Sequence, residues 1–413
     1  MQYFRGKLGP HTRRLITGSP AWGVKIRMRP QFVAQGCRAL SERSAAFAEH
    51  HRTGLIGSPQ GARRTAIVVY LTAMRSVAQT QPLSPELVFD TLNAYQRTAA
   101  LKGAIQLDVF TAIGEGNAAP KAIAARCQTS ERGMRILCDY LVIIGFLTKQ
   151  GSNYGLTADS ALFLDRRSPA YLGTAEKFLT SPMLTDGFKD VAAIVRKGGE
   201  VMSAHGTMEP NHPVWVDFAC AMAPMMAMPA DMIAKLVGAP EGAAWKVLDI
   251  AAGHGMFGIA IARQNPNATI VASDWPSVLE VAKGNAAKAG VSARYTTLPG
   301  SAFETDFGGG YDIVLLTNFL HHFDPATCEK LLRKVHAALK PGGRTATLEF
   351  VPNEDRVSPA TAAAFSMIML GTTESGDAYT FSEYDRMFHN AGFSRNELHA
   401  LEPFPSRVIL SHK

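Results

Sequence analysis

The feature that most constrains the fold of this chain is the run Val247-Leu-Asp-Ile-Ala-Ala-Gly-His-Gly-Met-Phe-Gly258. An apolar strand enters a glycine-rich turn there, and a helix leaves it. Glycines permit the tight turn, a close approach of the backbone to a ligand, and close packing of helix on strand. From Trp245 onward, apolar strands and helical stretches alternate. That alternation calls for a parallel sheet covered by helices on both faces. Strands are predicted at Lys246–Ile250, Thr269–Ser273, Ala293–Thr297, Tyr311–Leu316 and Arg344–Phe350, with two further short strands close to the C-terminus.

Gly253-His-Gly255-Met-Phe-Gly258 matches the G-x-G-x-x-G pattern of dinucleotide sites, and Asp274 ends the next strand, where a ribose-binding acid belongs. The pattern alone does not separate a nicotinamide dinucleotide from S-adenosylmethionine. Asp249 separates them. A pyrophosphate needs unopposed backbone N–H groups and a positive helix terminus, which a carboxylate just before the turn would oppose. S-adenosylmethionine has no phosphate and carries an ammonium and a sulfonium, which the Asp249 carboxylate can attract directly or through water.

Upstream the chain is organised differently. Residues 1–83 are expected to be a basic, largely disordered extension, by composition. Through residue 75 they hold thirteen Lys and Arg against only Glu42 and Glu49, a balance of +11 that leaves −4 of the net +7 for the remainder. The excess therefore sits in the appendage, which could be a transit peptide or precede a start at Met74. The rest gives little support for nucleic-acid binding. Residues 84–165 read as helix, turn, helix and hairpin, a winged-helix arrangement. It has helices at Pro120–Cys127 and Arg132–Phe146, and a hairpin around Gly151-Ser152-Asn153. The second helix is mostly apolar and is expected to be buried in packing or dimerisation rather than in a DNA groove.

Residues 166–240 form a helical connector with Met183, Met202, Met208, Met222, Met225, Met226, Met228 and Met232, which suits either a pocket for a flat apolar ligand or ordinary core. The catalytic domain spans 241–413. Cys37, Cys127, Cys138, Cys220 and Cys328 are scattered, which fits a reducing cytoplasm, and they have no zinc-type spacing. No metal is expected. No apolar run reaches the roughly 18 residues needed to cross a bilayer, so no membrane role is expected.

The series Val247 to Ala262, Ser273-Asp-Trp-Pro276, Pro299-Gly-Ser-Ala-Phe303, Tyr311 to Asp324 and Leu339-Lys-Pro-Gly-Gly-Arg344 resembles the motifs of class I methyltransferases. More narrowly, it resembles the small-molecule O-methyltransferases that include plant caffeic-acid and acetylserotonin enzymes and bacterial hydroxyneurosporene and antibiotic-pathway relatives. The likeness runs from about residue 84 to the end. It implies a Rossmann-like α/β domain with a mostly parallel seven-stranded sheet, preceded by a winged-helix domain through which two copies pair. By that resemblance Gly253 and Gly255 approach the cofactor, Asp274 holds its ribose, and Ser301, Ala302 and Phe303 neighbour its adenine. Trp275 and Asn318 join the same set. Ser301 stands where the family often has an acid.

Methyl transfer to a phenol or enol needs in-line approach to the sulfonium methyl and a base for the hydroxyl proton. Asn318-Phe-Leu-His321-His322-Phe-Asp324 follows the fourth strand, at the edge where α/β proteins bind ligands. The resemblance makes His321 the base and Glu349 the carboxylate that orients it. His322 is expected to point away, as a structural or rim residue. Ala378 replaces a second glutamate of the plant enzymes, with Asp377 as a possible substitute. The acceptor is expected to be a small, flat hydroxylated molecule such as a phenolic or polyketide. Competing readings are a regulator that senses S-adenosylmethionine, a nicotinamide oxidoreductase, and methyl transfer to carbon or nitrogen.

Overall fold

The computed structural model describes residues 83–201 and 212–413. The basic extension up to residue 82, with Cys37, lies outside the described residues, and so do Met202 and Met208 of the connector.

The first described module is helical: α1 (Glu86–Leu92), α2 (Tyr95–Gln106), α3 (Val109–Gly114), α4 (Pro120–Arg126) and α5 (Glu131–Ile143), followed by strands β1 (Leu147–Gln150) and β2 (Asn153–Leu156). Pro120 opens α4, where its missing N–H costs nothing, and the Ser130 side chain caps α5 by accepting from the Gly133 N–H. β1 and β2 pair antiparallel from Leu147↔Leu156 to Gln150↔Asn153 around Gly151-Ser152. The helix-turn-helix and hairpin read from the sequence are thus present. Burial of α5 is narrower than its composition suggests. Met134, Cys138 and Leu141 form its inner stripe, whereas Ile136 and Ile143 stay exposed. In α1 no residue is buried in the single protomer.

After several short helices comes α6 (Val214–Leu236), interrupted in sequence by Pro224 and Pro229. Contrary to the expectation from hydropathy, this helix is long and apolar enough to cross a membrane. Its inner residues Ala230, Ile233 and Ala234 instead belong to the core of the sheet domain. Met226 and Met232 pack on that core, Met222 and Met225 pack with Phe178 and Phe218, and Met228 is exposed. The methionines of α6 therefore do not share one pocket.

The sheet domain comprises β3 (Lys246–Ile250), α7 (Met256–Gln264), β4 (Thr269–Asp274), α8 (Pro276–Lys288), β5 (Tyr295–Pro299), β6 (Tyr311–Thr317), α9 (Pro325–Ala338), β7 (Leu339–Glu349), α10 (Ala360–Thr372), α11 (Phe381–Asn390), β8 (Arg395–Ala400) and β9 (Arg407–His412). Its seven strands run in the order β5-β4-β3-β6-β7-β9-β8, with only β9 paired antiparallel to its neighbours. β5 begins two residues later than predicted because Ser292–Arg294 form a 3-10 turn. Arg294 donates there to the carbonyls of Ala262, Asn265 and Ala268, which fixes the turn to the end of α7. β7 begins earlier, at Leu339, with a register irregularity opposite Tyr311 and Ile313.

Strand alternation sends Val247, Ile270, Ile313 and Ala346 to one core and Leu248, Ile250, Val314 and Leu316 to the other. Each such fully buried Val, Leu or Ile side chain contributes about 1.5–3 kcal/mol. The sheet is covered on both faces, so ligand access is confined to its carboxyl edge.

Candidate active site

At that edge the β3–α7 turn is built on positive backbone angles, with φ of 56° at Gly253 and 74° at Gly255. A Cβ on Gly255 would lie 2.5 Å from the Tyr295 hydroxyl, and one on Gly258 would lie 2.8 Å from Ile270 and 3.0 Å from Asp249 Oδ2. Glycine is required at both places. The N–H groups of the turn are already committed. Gly253 N donates to Asp274 Oδ2 at 2.8 Å, Met256 N to His254 Nδ1 at 3.2 Å, and Gly258 N to Asp249 Oδ2 at 3.0 Å. Two of those acceptors are acid side chains. This helix terminus does not suit a pyrophosphate, which needs the same donors and finds them taken. It suits a cationic ligand without phosphate, which is the charge of S-adenosylmethionine.

Asp249 is wholly buried, and its Oδ1 has no hydrogen-bond partner. Desolvation pushes its pKa up to about 8, against the pull of the Gly258 N–H. Asp274 is likewise pushed up, to about 6, by burial, while the N–H groups of Gly253 and Trp275 act the other way. Its carboxylate accepts from Gly253 N and from Trp275 N at 2.7 Å, and lone pairs remain for ribose hydroxyls. The Trp275 ring is half-buried.

Ser301 turns inward on its own loop, accepting from Phe303 N at 3.3 Å. The Ala302 carbonyl accepts from Lys334. Phe303 meets Phe323 edge to face at 4.9 Å and packs on the core beside it. Asn318 has φ of 54°, and its N–H donates to the Leu348 carbonyl, so a strained residue turns the chain out of β6.

The next three residues, Leu320–His322, form a 3-10 turn. His321 is 4% exposed, and its Nδ1 lies 2.5 Å from Oε2 of Glu349, which is fully buried at the end of β7. Glu349 Oε1 accepts from Phe319 N at 3.0 Å and Leu320 N at 2.8 Å. One carboxylate therefore fixes both the backbone and the imidazole of this turn. The pairing rests on β6 and β7 being neighbours, with Leu316 opposite Thr347 and Thr317 opposite Leu348. His322 does not point away from it: the two histidine rings are 4.4 Å apart, and Trp215 meets His322 edge to face at 5.5 Å. A short 3-10 turn crowded beneath α6 does not separate consecutive side chains as the helical expectation required. Burial and the neighbouring His321 hold the His322 pKa well below the imidazole range.

Four contributors lie outside the set assigned from sequence. Trp215 and Phe218 of α6 lie one helical turn apart, the first against His322 and the second stacked on His254 at 6.5 Å. Burial lowers the His254 pKa to about 4. Phe365 of α10 meets His321 edge to face at 4.8 Å and stacks on Phe350 at 4.1 Å. His254 stands inside the glycine run and was legible as a candidate, whereas the aromatics gave no signal beyond their spacing on an apolar helix. Asp377 pairs with Arg356 at 3.3 Å, and Ala378 is fully buried. A groove of about 660 Å3 borders the turn, lined by Ser366, Met367 and Leu370 of α10 and by Gly376, Asp377 and Tyr379. It uses a different face of α10 from Phe365. No His, Cys, Asp and Glu cluster suited to a metal occurs among the described residues.

Residues 221–394 match the O-methyltransferase domain family and residues 89–166 the O-methyltransferase dimerisation domain. A crystal structure from Nostoc punctiforme, of a candidate O-methyltransferase, is 59% identical, with 80% of this chain and all of that one covered at a TM-score of 0.79. The 3-hydroxy-5-methyl-1-naphthoate 3-O-methyltransferase of Streptomyces sahachiroi is 28% identical over 75% of this chain and 90% of its own. Human N-acetylserotonin methyltransferase, solved with S-adenosylmethionine, shares the fold at a TM-score of 0.70 and 21% identity, covering 82% of this chain and 99% of that one.

Proposed function

Because this chain belongs to the O-methyltransferase family and is an S-adenosylmethionine-dependent enzyme, we propose that it methylates a hydroxyl of a small, flat acceptor of the phenolic or polyketide kind. His321 is the general base and Glu349 its orienting partner. The observation that carries this reading is the buried His321–Glu349 contact at the same sheet edge as the carboxylate-braced glycine turn. A Nδ1–H donating to Glu349 leaves Nε2 unprotonated to take the acceptor's proton. S-adenosylmethionine, when bound, supplies an electrophilic methyl group. Gly253, Gly255, Asp249 and Asp274 hold it, with Trp275, Ser301, Ala302, Phe303 and Asn318 around it. His321 and the aromatic side chains of Trp215 and Phe365 orient the acceptor and exclude water.

Residues 84–165 serve as the dimerisation domain, 166–240 as connector and 241–413 as catalytic domain. Homodimerisation is supported by the exposure of Leu87, Val88, Phe89, Leu92 and Ile143 in the single protomer. A cytoplasmic setting fits the four free cysteines among the described residues.

Calorimetric titration with S-adenosylhomocysteine and with NADH, followed by a screen of naphthoate, phenol and polyketide acceptors, tests the reading. Binding of the first nucleoside alone and methyl transfer to oxygen support it. Transfer only to carbon or nitrogen would overturn the proposed chemistry while leaving the cofactor in place.

A further inference from the structure

Asp249 is an ionisable group in an unusual position. It is fully buried at the end of β3, one oxygen takes the Gly258 N–H, and the other has no partner. The charged neighbour that acts on it among the described residues is Asp274, itself an acid. The titratable groups around it do not help to ionise it. β4 supplies Asp274, a second acid, and β5 supplies the Tyr295 hydroxyl, itself unpartnered and pushed above its usual range by burial and by both carboxylates. The turn supplies His254, which burial keeps neutral, and the facing residues of α7 and β6, Gly258 and Leu315, carry no charge. A carboxylate so placed is costly to ionise until an opposite charge comes within about 4–6 Å.

We propose that Asp249 is neutral while the cofactor site is empty and gives up its proton when the cofactor's α-ammonium arrives, so that cofactor binding releases about one proton. The inference rests on the cofactor reading of the glycine turn. No bond to carbon changes; the Asp249 O–H breaks and the proton passes to solvent buffer. The enzyme thereby discriminates for a ligand that brings a cation to this turn, because a neutral or anionic nucleoside would meet an uncharged acid and gain nothing from it. The binding-site carboxylate is created by the ligand that needs it.

The test is titration of the full chain with S-adenosylhomocysteine at pH 7 in two buffers of different ionisation enthalpy. With burial raising the Asp249 pKa to about 8, release of most of one proton is expected at pH 7. The dissociation constant should tighten about tenfold from pH 6 to pH 7. Asp249→Asn, which keeps the neutral shape, should bind more weakly, without proton release and without that pH dependence. Tight binding with no proton exchange, or the same release from Asp249→Asn, overturns the inference. Failure of S-adenosylhomocysteine to bind the unaltered protein would instead overturn the cofactor reading.

Discussion

Replacing Glu349 by Gln changes one oxygen to an NH2 group at nearly constant volume, in a side chain that makes three contacts with the His321 turn. Oε1 can still accept from Phe319 N and Leu320 N, now 3.0 and 2.8 Å away. The NH2 group then faces His321 Nδ1, which must become an acceptor. That moves the imidazole proton to Nε2, the atom proposed as the base. Stability should fall by only about 1–2 kcal/mol, the difference between charge-assisted and neutral hydrogen bonds. Turnover should fall about 10³- to 10⁴-fold, the scale seen when a carboxylate that sets a histidine tautomer is made an amide. Glu349→Ala is less informative, because two buried N–H groups lose their acceptor at about 1–3 kcal/mol each and the turn itself moves. The assay is S-adenosylhomocysteine formation with the acceptor found by screening, beside thermal unfolding, cofactor titration and the 15N shifts of His321. Glu349→Gln with turnover within tenfold of the parent, or with Nδ1 still protonated, would refute the tautomer assignment.

His321→Gln should lower turnover about 10²- to 10⁴-fold with cofactor affinity unchanged in calorimetry, since a positioned base contributes that range. Gly376→Ala puts a Cβ 2.2 Å from the His321 carbonyl, which is backbone and cannot swing aside. A loss of about 1–3 kcal/mol in unfolding free energy and at least tenfold in turnover, without loss of cofactor affinity, is expected. For His254, burial depresses the folded pKa to about 4, below an unfolded value near 6.5. The unfolded chain therefore takes up a proton first as pH falls, and stability is lost between pH 6.5 and 4, about 2 kcal/mol by pH 5. His254→Phe should show a correspondingly smaller drop in Tm from pH 7 to pH 5. Ile143→Glu, at a side chain 77% exposed in the protomer, should leave circular dichroism unchanged and shift the mass seen by light scattering from dimer to monomer.

Local sequence was enough for the parallel α/β domain, the glycine turn and the order of the N-terminal helices and hairpin, because each depends on periodicity and on backbone angles that only certain residues adopt. Gly253 and Gly255 announce their positive φ, and the alternating apolar runs announce buried strands. Strand limits were less legible where a distant side chain intervened, as Arg294 does ahead of β5. The pairing of His321 with Glu349 spans 28 residues and exists because β6 and β7 lie side by side, so neither residue alone could reveal the 2.5 Å contact. Nor could sequence tell that the His322 ring lies against His321, that Trp215 and Phe218 lean on the two turns, or that Asp249 lacks a partner for one oxygen. Those are facts of packing between elements far apart in the chain. Residue type and spacing determine which chemistry is available, while proximity, desolvation and hydrogen-bond supply are set only when the sheet and its covering helices come together.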